Sequence, residues 1–254
     1  MLEQYIRERR KQREILLMTH IVLGYPSFDD SMKMVESMVE AGVDLMELQI
    51  PFSEPMADGP VILAANAKAL AAGSTVERCM AFASEVTQRF DIPFLFMTYY
   101  NIAFRYGIRN FAGAMAERGI AGSILPDLPP EEAEDYLQAM EDHHLHPIFL
   151  FTPTSSDERM RTVGQLSKGF VYCVARRGVT GADTQFTQDL DAYLDRCRGA
   201  TKLPLALGFG VKDRRDVQSL VGKVDVAVVG SESIRVMERD GVDAVGPFVA
   251  GLRG

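Results

Sequence analysis

The stretch Leu45-Met46-Glu47-Leu48-Gln49-Ile50-Pro51-Phe52-Ser53-Glu54-Pro55-Met56-Ala57-Asp58-Gly59-Pro60 joins a strand to a stiffened loop, and the fold can be worked outward from that junction. From Leu45 to Ile50 apolar and polar side chains alternate, which is the period of a strand. Pro51, Pro55, Gly59 and Pro60 cannot lie inside regular structure, so they hold the following loop to a narrow set of shapes. Glu47 sits in the strand and Asp58 at the far end of the loop. Two carboxylates on either side of a rigid junction can divide proton transfer and charge stabilisation between them, provided their surroundings separate their pKa values. A surface loop carrying ordinary solvated acids would need neither so many backbone constraints nor Phe52 and Met56 among them.

The same grammar repeats along the chain. Short runs rich in Val, Ile, Leu and Phe predict strands over Met18 to Leu23, Asp44 to Gln49, Phe94 to Thr98, Gly122 to Leu125, Pro147 to Phe151, Phe170 to Val174, Pro204 to Leu207 and Val224 to Val229. Between them, segments of helical period cover Asp29 to Ala41, Glu131 to His143, Asp157 to Leu166 and Arg214 to Val221. Ser27 to Asp30 and Ser155-Ser156-Asp157 supply N-cap signals. Alternating strands and helices of this number, in 254 residues without a linker or a composition shift, predict one (β/α)8 TIM barrel spanning residues 1–254 as a single catalytic domain. A doubly wound open sheet is the competing arrangement, but no GxGxxG follows the first strand.

A net charge of −8 argues against sequence-independent binding to nucleic acid or to an anionic membrane, because both reward concentrated Lys and Arg. A small molecule is the expected ligand. Cys79, Cys173 and Cys197 are odd in number and irregular in spacing, which fits neither a disulfide framework nor a zinc ribbon; they read as reduced thiols. Met1 to Glu14 is rich in charge without the apolar core of a leader, and no later run approaches the length of a membrane span, so a soluble cytoplasmic protein is expected.

Chemistry in a barrel gathers on the loops that follow the strands. Gly208 and Gly210 after the seventh strand, with Gly230 and Ser231 after the eighth, place exposed backbone N–H groups where barrels often hold a phosphate, and Gly181 is available after the sixth. Turn glycines required by any strand-to-helix connection are the plainer reading of the same residues. Phe52, Met97, Tyr99, Tyr172 and Phe209 stand near the mouth, where they either line a flat slot for an aromatic substrate or pack as core. His143, His144 and His146 resemble a metal cluster but precede the fifth strand, on the bottom face, and no Cys lies nearby to complete a zinc site; no metal is expected there. Cys173, flanked by Val171, Tyr172 and Val174, reads as an inert strand thiol.

These residues carry a resemblance almost from end to end. The runs Glu47-Leu48, Ile50-Pro51-Phe52-Ser53 and Ala57-Asp58-Gly59-Pro60 are similar to those of the tryptophan synthase alpha subunit family. So are Met97-Thr98-Tyr99-Tyr100-Asn101, Pro126-Asp127-Leu128-Pro129-Pro130-Glu131-Glu132, Gly178-Val179-Thr180-Gly181-Ala182, Gly208-Phe209-Gly210 and Val229-Gly230-Ser231. The resemblance implies a barrel that cleaves indole-3-glycerol phosphate to indole and glyceraldehyde 3-phosphate without cofactor or metal, in partnership with a beta subunit in an alpha2beta2 assembly. It implies Glu47 as the general acid and base and Asp58 as the carboxylate that receives the indole N–H. Tyr172 and Thr180 correspond to residues that steady this pair, Phe209 and Tyr99 to walls of the indole slot, and Gly181, Gly210, Gly230 and Ser231 to the phosphate cradle.

Departures from the family pattern cluster at the indole end. His20 stands where Phe or Tyr is usual, Val22 where Thr is common, Gln49 in place of a small Gly, and Glu54 in place of Asp. Gln49 lies two residues from Glu47 and therefore on the same strand face, where it either crowds the slot or hydrogen-bonds the carboxylate. Alternatively, Gln49 and His20 compensate each other sterically. A free-standing or modified-substrate lyase, or a catalytically weakened binding and activating subunit, are the rival functions.

Overall fold

Alternation along β1 (Leu16–Val22) sends Leu16, Met18 and His20 to one side of the sheet and Leu17, Thr19 and Ile21 to the other, as the pleat of a strand requires. The computed structural model describes residues 2–175, 183–208 and 210–253, with side chains for all of these except 183–188. After β1 come β2 (Leu45–Gln49), β3 (Phe94–Met97), β4 (Gly122–Ile124), β5 (His146–Ile148), β6 (Leu150–Phe151), β7 (Val171–Val174), β8 (Leu205–Gly208) and β9 (Val226–Val229). Each predicted strand is present, its ends moved by a residue or two. The predicted strand Pro147 to Phe151 is divided into β5 and β6, because its lower half pairs with β4 and its upper half with β7. The hydrogen-bonded order runs β5-β4-β3-β2-β1-β9-β8-β7-β6, all parallel, so both ends of the sheet belong to one continuous segment and the sheet closes into a barrel.

Closure creates two cores. Leu16, Met18, Leu45, Leu95, Ile124, Ile148, Phe170, Ala206 and Val226 fill the barrel interior, joined from below by Leu2 and Ile6 of the helix Leu2–Arg10. The outward residues, Leu17, Ile21, Met46, Leu48 and Phe96 among them, pack against the surrounding helices, where Met34, Val35 and Met38 of the helix Phe28–Glu40 meet them. Ser27 caps that helix by accepting the Asp30 N–H at 3.0 Å, and Ser156 caps the helix Asp157–Leu166 in the same way through Arg159. The helix predicted over Glu131 to His143 divides instead into a 3-10 turn, Pro130–Glu132, and a helix Glu134–Asp142; Pro129 and Pro130 fix the entry and Ala133 breaks the run.

Climbing the barrel, the interior changes character. Parallel pairing aligns His20 with Glu47, one layer above the apolar floor, and Gln49 follows on the same face of β2. All three are buried. Burying several polar side chains together is costly unless they satisfy one another, and this polar layer sits at the C-terminal mouth.

Candidate active site

Glu47 reaches the mouth from the interior face of β2, and its two oxygens have different surroundings. Oε2 lies 2.9 Å from His20 Nδ1, whereas Oε1 is buried without a hydrogen-bond partner among the described residues. His20 Nε2 lies 2.9 Å from Gln49 Oε1, and Gln49 Nε2 donates to Asp58 Oδ2 at 2.7 Å. Gln49 therefore does not hydrogen-bond Glu47, one of the outcomes open from the sequence. The His20 ring stands between them, and the long amide turns towards the Asp58 loop.

The rigid loop after β2 brings Asp58 back to the mouth. Pro60 begins the helix Pro60–Ala71, with Gly59 as its N-cap residue, and Asn66 in that helix accepts the Phe52 N–H at 2.9 Å, tying the two ends of the loop together. Burial raises the Asp58 carboxyl above its usual range, against the opposing effects of Gln49, the His20 charge and Tyr99. For His20, burial disfavours the imidazolium, but the hydrogen bond to Glu47 and the charges of Glu47 and Asp58 outweigh it and leave the ring above its ordinary value.

These groups open on a cavity of about 450 Å³, a size suited to a small ligand. Glu47, His20 and Asp58 face it with Met97, Ile124, Leu150, Tyr172 and Val174. On the side formed by β8 and β9 it is bounded by Gly208, Gly210, Gly230 and Ser231. Ser231 opens the helix Ser231–Asp240, so the unpaired N–H groups of that helix start beside the cavity. Gly210 holds φ at +83°, a conformation open to glycine and strained for other residues. At Gly208 the need is space, since a Cβ there would lie 2.7 Å from the Tyr172 hydroxyl.

Tyr99 requires a correction. It does not line the cavity; its ring is 1% exposed, stacks on Phe52 with centroids 5.1 Å apart, and lies behind the Asp58 loop. Its hydroxyl accepts the Ala57 N–H at 3.0 Å and hydrogen-bonds Asp58, so it braces the carboxylate rather than forming a wall of the slot. Burial keeps the hydroxyls of both Tyr99 and Tyr172 protonated, each pushed further up by the Asp58 charge. Thr180, Gly181 and Phe209 lie outside the described residues.

Away from the mouth, His143 follows the helix Glu134–Asp142 and His146 opens β5, its Nδ1 donating to Ala121 O at 2.7 Å. Among the described residues no group of three His, Cys, Asp or Glu side chains is placed to hold a metal ion. Cys173 is buried beside Cys197, and both remain free thiols.

A buried and a half-buried carboxylate joined through an imidazole and an amide, at the mouth of a closed parallel barrel, define an acid–base enzyme of the (β/α)8 class. The sequence profile of the tryptophan synthase alpha chain family matches residues 6–245. The chain belongs to that family, and is a carbon–carbon lyase of tryptophan biosynthesis that cleaves indole-3-glycerol phosphate to indole and glyceraldehyde 3-phosphate. A tryptophan synthase alpha chain from Desulforapulum autotrophicum is 64% identical over 252 residues, covering 99% of this chain and 100% of its own length. Another from Syntrophotalea carbinolica is 60% identical, with full coverage of both. Among solved structures, tryptophan synthase from M. tuberculosis in its aminoacrylate-bound form superposes with a TM-score of 0.91 at 29% identity, covering 99% of this chain and 97% of that one. A tryptophan synthase complex from Pyrococcus furiosus gives 0.86 at 27% identity, covering 93% and 97%.

Proposed function

We propose that Glu47 moves both protons of the cleavage, that Asp58 holds the indole N–H, and that Gly210, Gly230 and Ser231 bind the phosphate. The observation that carries this reading is the unpartnered Oε1 of Glu47, a buried oxygen beside the cavity whose natural partner is a ligand. The chemistry asks for a proton on indole C3, which places positive charge on the ring nitrogen. Asp58, ionised and braced by Gln49 and Tyr99, offsets that charge as it develops. The hydroxyl on the adjacent glycerol carbon then returns its proton to Glu47 as the carbon–carbon bond breaks. Its oxygen becomes the aldehyde oxygen, and the electrons of the broken bond restore the neutral indole.

The enzyme works with a tryptophan synthase beta subunit in an alpha2beta2 assembly. Met56, in the loop after β2, and Phe104, in the helix Tyr100–Tyr106 after β3, are 85% and 64% exposed beside the mouth, and large apolar side chains so placed suit a docking partner. No described helix is long and apolar enough to cross a membrane, and free buried thiols suit the cytoplasm, where we place the protein. Residues 1–254 act as a single catalytic domain.

The test is indole release from indole-3-glycerol phosphate, with and without a beta subunit, for the native chain and Glu47→Gln. The substitution should lower turnover by on the order of 10²–10⁴-fold while inorganic phosphate still binds. The beta subunit should raise the native rate. Retained cleavage in the variant would remove Glu47 from its role, and an unmoved native rate would favour a free-standing lyase.

A further inference from the structure

Reading Glu47 and Asp58 as the reacting pair leaves His20, 3% exposed, without a task, and gives Gln49, fully buried, one only at its amide nitrogen. Together they complete an unbroken line of hydrogen bonds from one carboxylate to the other: Glu47, His20, Gln49, Asp58. The direction of this line follows from its far end. An ionised Asp58 only accepts, so Gln49 presents its NH2 there and its carbonyl oxygen to His20, whose Nε2 must then carry hydrogen. The link with freedom left is the one between His20 Nδ1 and Glu47 Oε2. With its proton on nitrogen the pair is imidazolium and carboxylate; with the proton on oxygen it is imidazole and carboxylic acid.

We propose that His20, held by Gln49, is a positioning residue that shares with Glu47 the proton delivered to indole C3, so that the acid form of the pair survives to higher pH than a lone glutamate would allow. The inference rests on the assignment of Glu47 as the proton-transfer group. The proton leaves the pair through Glu47, since a turn of the carboxyl about its soft terminal torsion exchanges its two oxygens between His20 and the cavity. The substrate hydroxyl later returns a proton, so the pair ends as it began.

The surroundings favour this storage. Among the described residues, β2 presents Glu47 and Gln49 to the imidazole and the loop beyond presents Asp58, while β7 brings Tyr172 to the same cavity with its hydroxyl protonated. From β9 and its loop come Val228 and the backbone of Gly230, neither of which titrates. Both carboxylates therefore bear on a single ring, and no described cation faces it.

Two measurements test the proposal. The first is the pH profile of kcat in the native chain and in His20→Phe/Gln49→Gly, which changes both residues so that neither is left buried without its partner. The alkaline limb of the double variant should fall about one pH unit or more below the native limb, because the imidazole that stored the proton beside the carboxylate is gone. The second needs no turnover: the ¹⁵N resonances of the His20 imidazole should show both nitrogens protonated in the native chain at neutral pH, and Glu47→Gln should abolish that state. An unmoved limb in a double variant that still binds inorganic phosphate, or a His20 spectrum indifferent to Glu47→Gln, overturns the proposal. Turnover by Glu47→Gln itself would instead sink the assignment beneath it.

Discussion

At the scale of single residues, the mouth is shaped as much by an absent side chain as by those present. Gly208 lies against Tyr172, and a Cβ there would sit 2.7 Å from the tyrosine hydroxyl. Gly208→Ala should displace Tyr172 into the cavity, with an overpacking cost of about 1–3 kcal/mol that appears as a raised KM and reduced kcat in steady-state assays. Gly208, Glu47 and Asp58 were all legible in the sequence as mouth residues, because a carboxylate or glycine at a strand end carries its meaning locally. His20 was visible there only as a departure from the family pattern. Its function depends on the register that sets it beside Glu47, and register is a property of two strands. Tyr99 shows the converse. An aromatic near the mouth reads equally as wall or as support, and only the path of the Asp58 loop over its hydroxyl made it support.

At the scale of elements, strand positions were legible to within a residue or two, since apolar period and turn residues are local signals. The division of the fifth strand into β5 and β6 was not, because it arises where the chain changes partner from β4 to β7. The helix Leu2–Arg10 was likewise read only as a charged segment. Its charge belongs to the outer face, while Leu2 and Ile6 turn inward and close the floor of the barrel. Ile6→Ala should therefore destabilise the fold by about 2–5 kcal/mol, measured by chemical denaturation, with substrate KM unchanged because the cavity lies at the opposite end.

At the scale of the whole molecule, Asp44 joins distant parts of the chain. Its fully buried carboxylate accepts from the Leu17 N–H at 2.9 Å and pairs with Arg9 at 3.1 Å, Arg13 at 2.9 Å and Arg253. The segment leading into β1, the start of β2 and the C-terminal helix Val245–Arg253 thus share one anchor. Asp44→Asn should cost roughly 3 kcal/mol in unfolding experiments, the lower end for a broken buried pair because the arginines reach water, and should broaden the loss of both termini in hydrogen exchange. The sequence by itself determined the (β/α)8 barrel, the two carboxylates and the glycine-rich loops opposite them, since each rests on periodicity, backbone restriction or residue chemistry expressed within a few neighbours. Only the tertiary structure decided how those groups are wired. The line from Glu47 through His20 and Gln49 to Asp58 crosses two strands and a loop, and depends on closure of the barrel to exclude water, so that four polar side chains find their partners in one another.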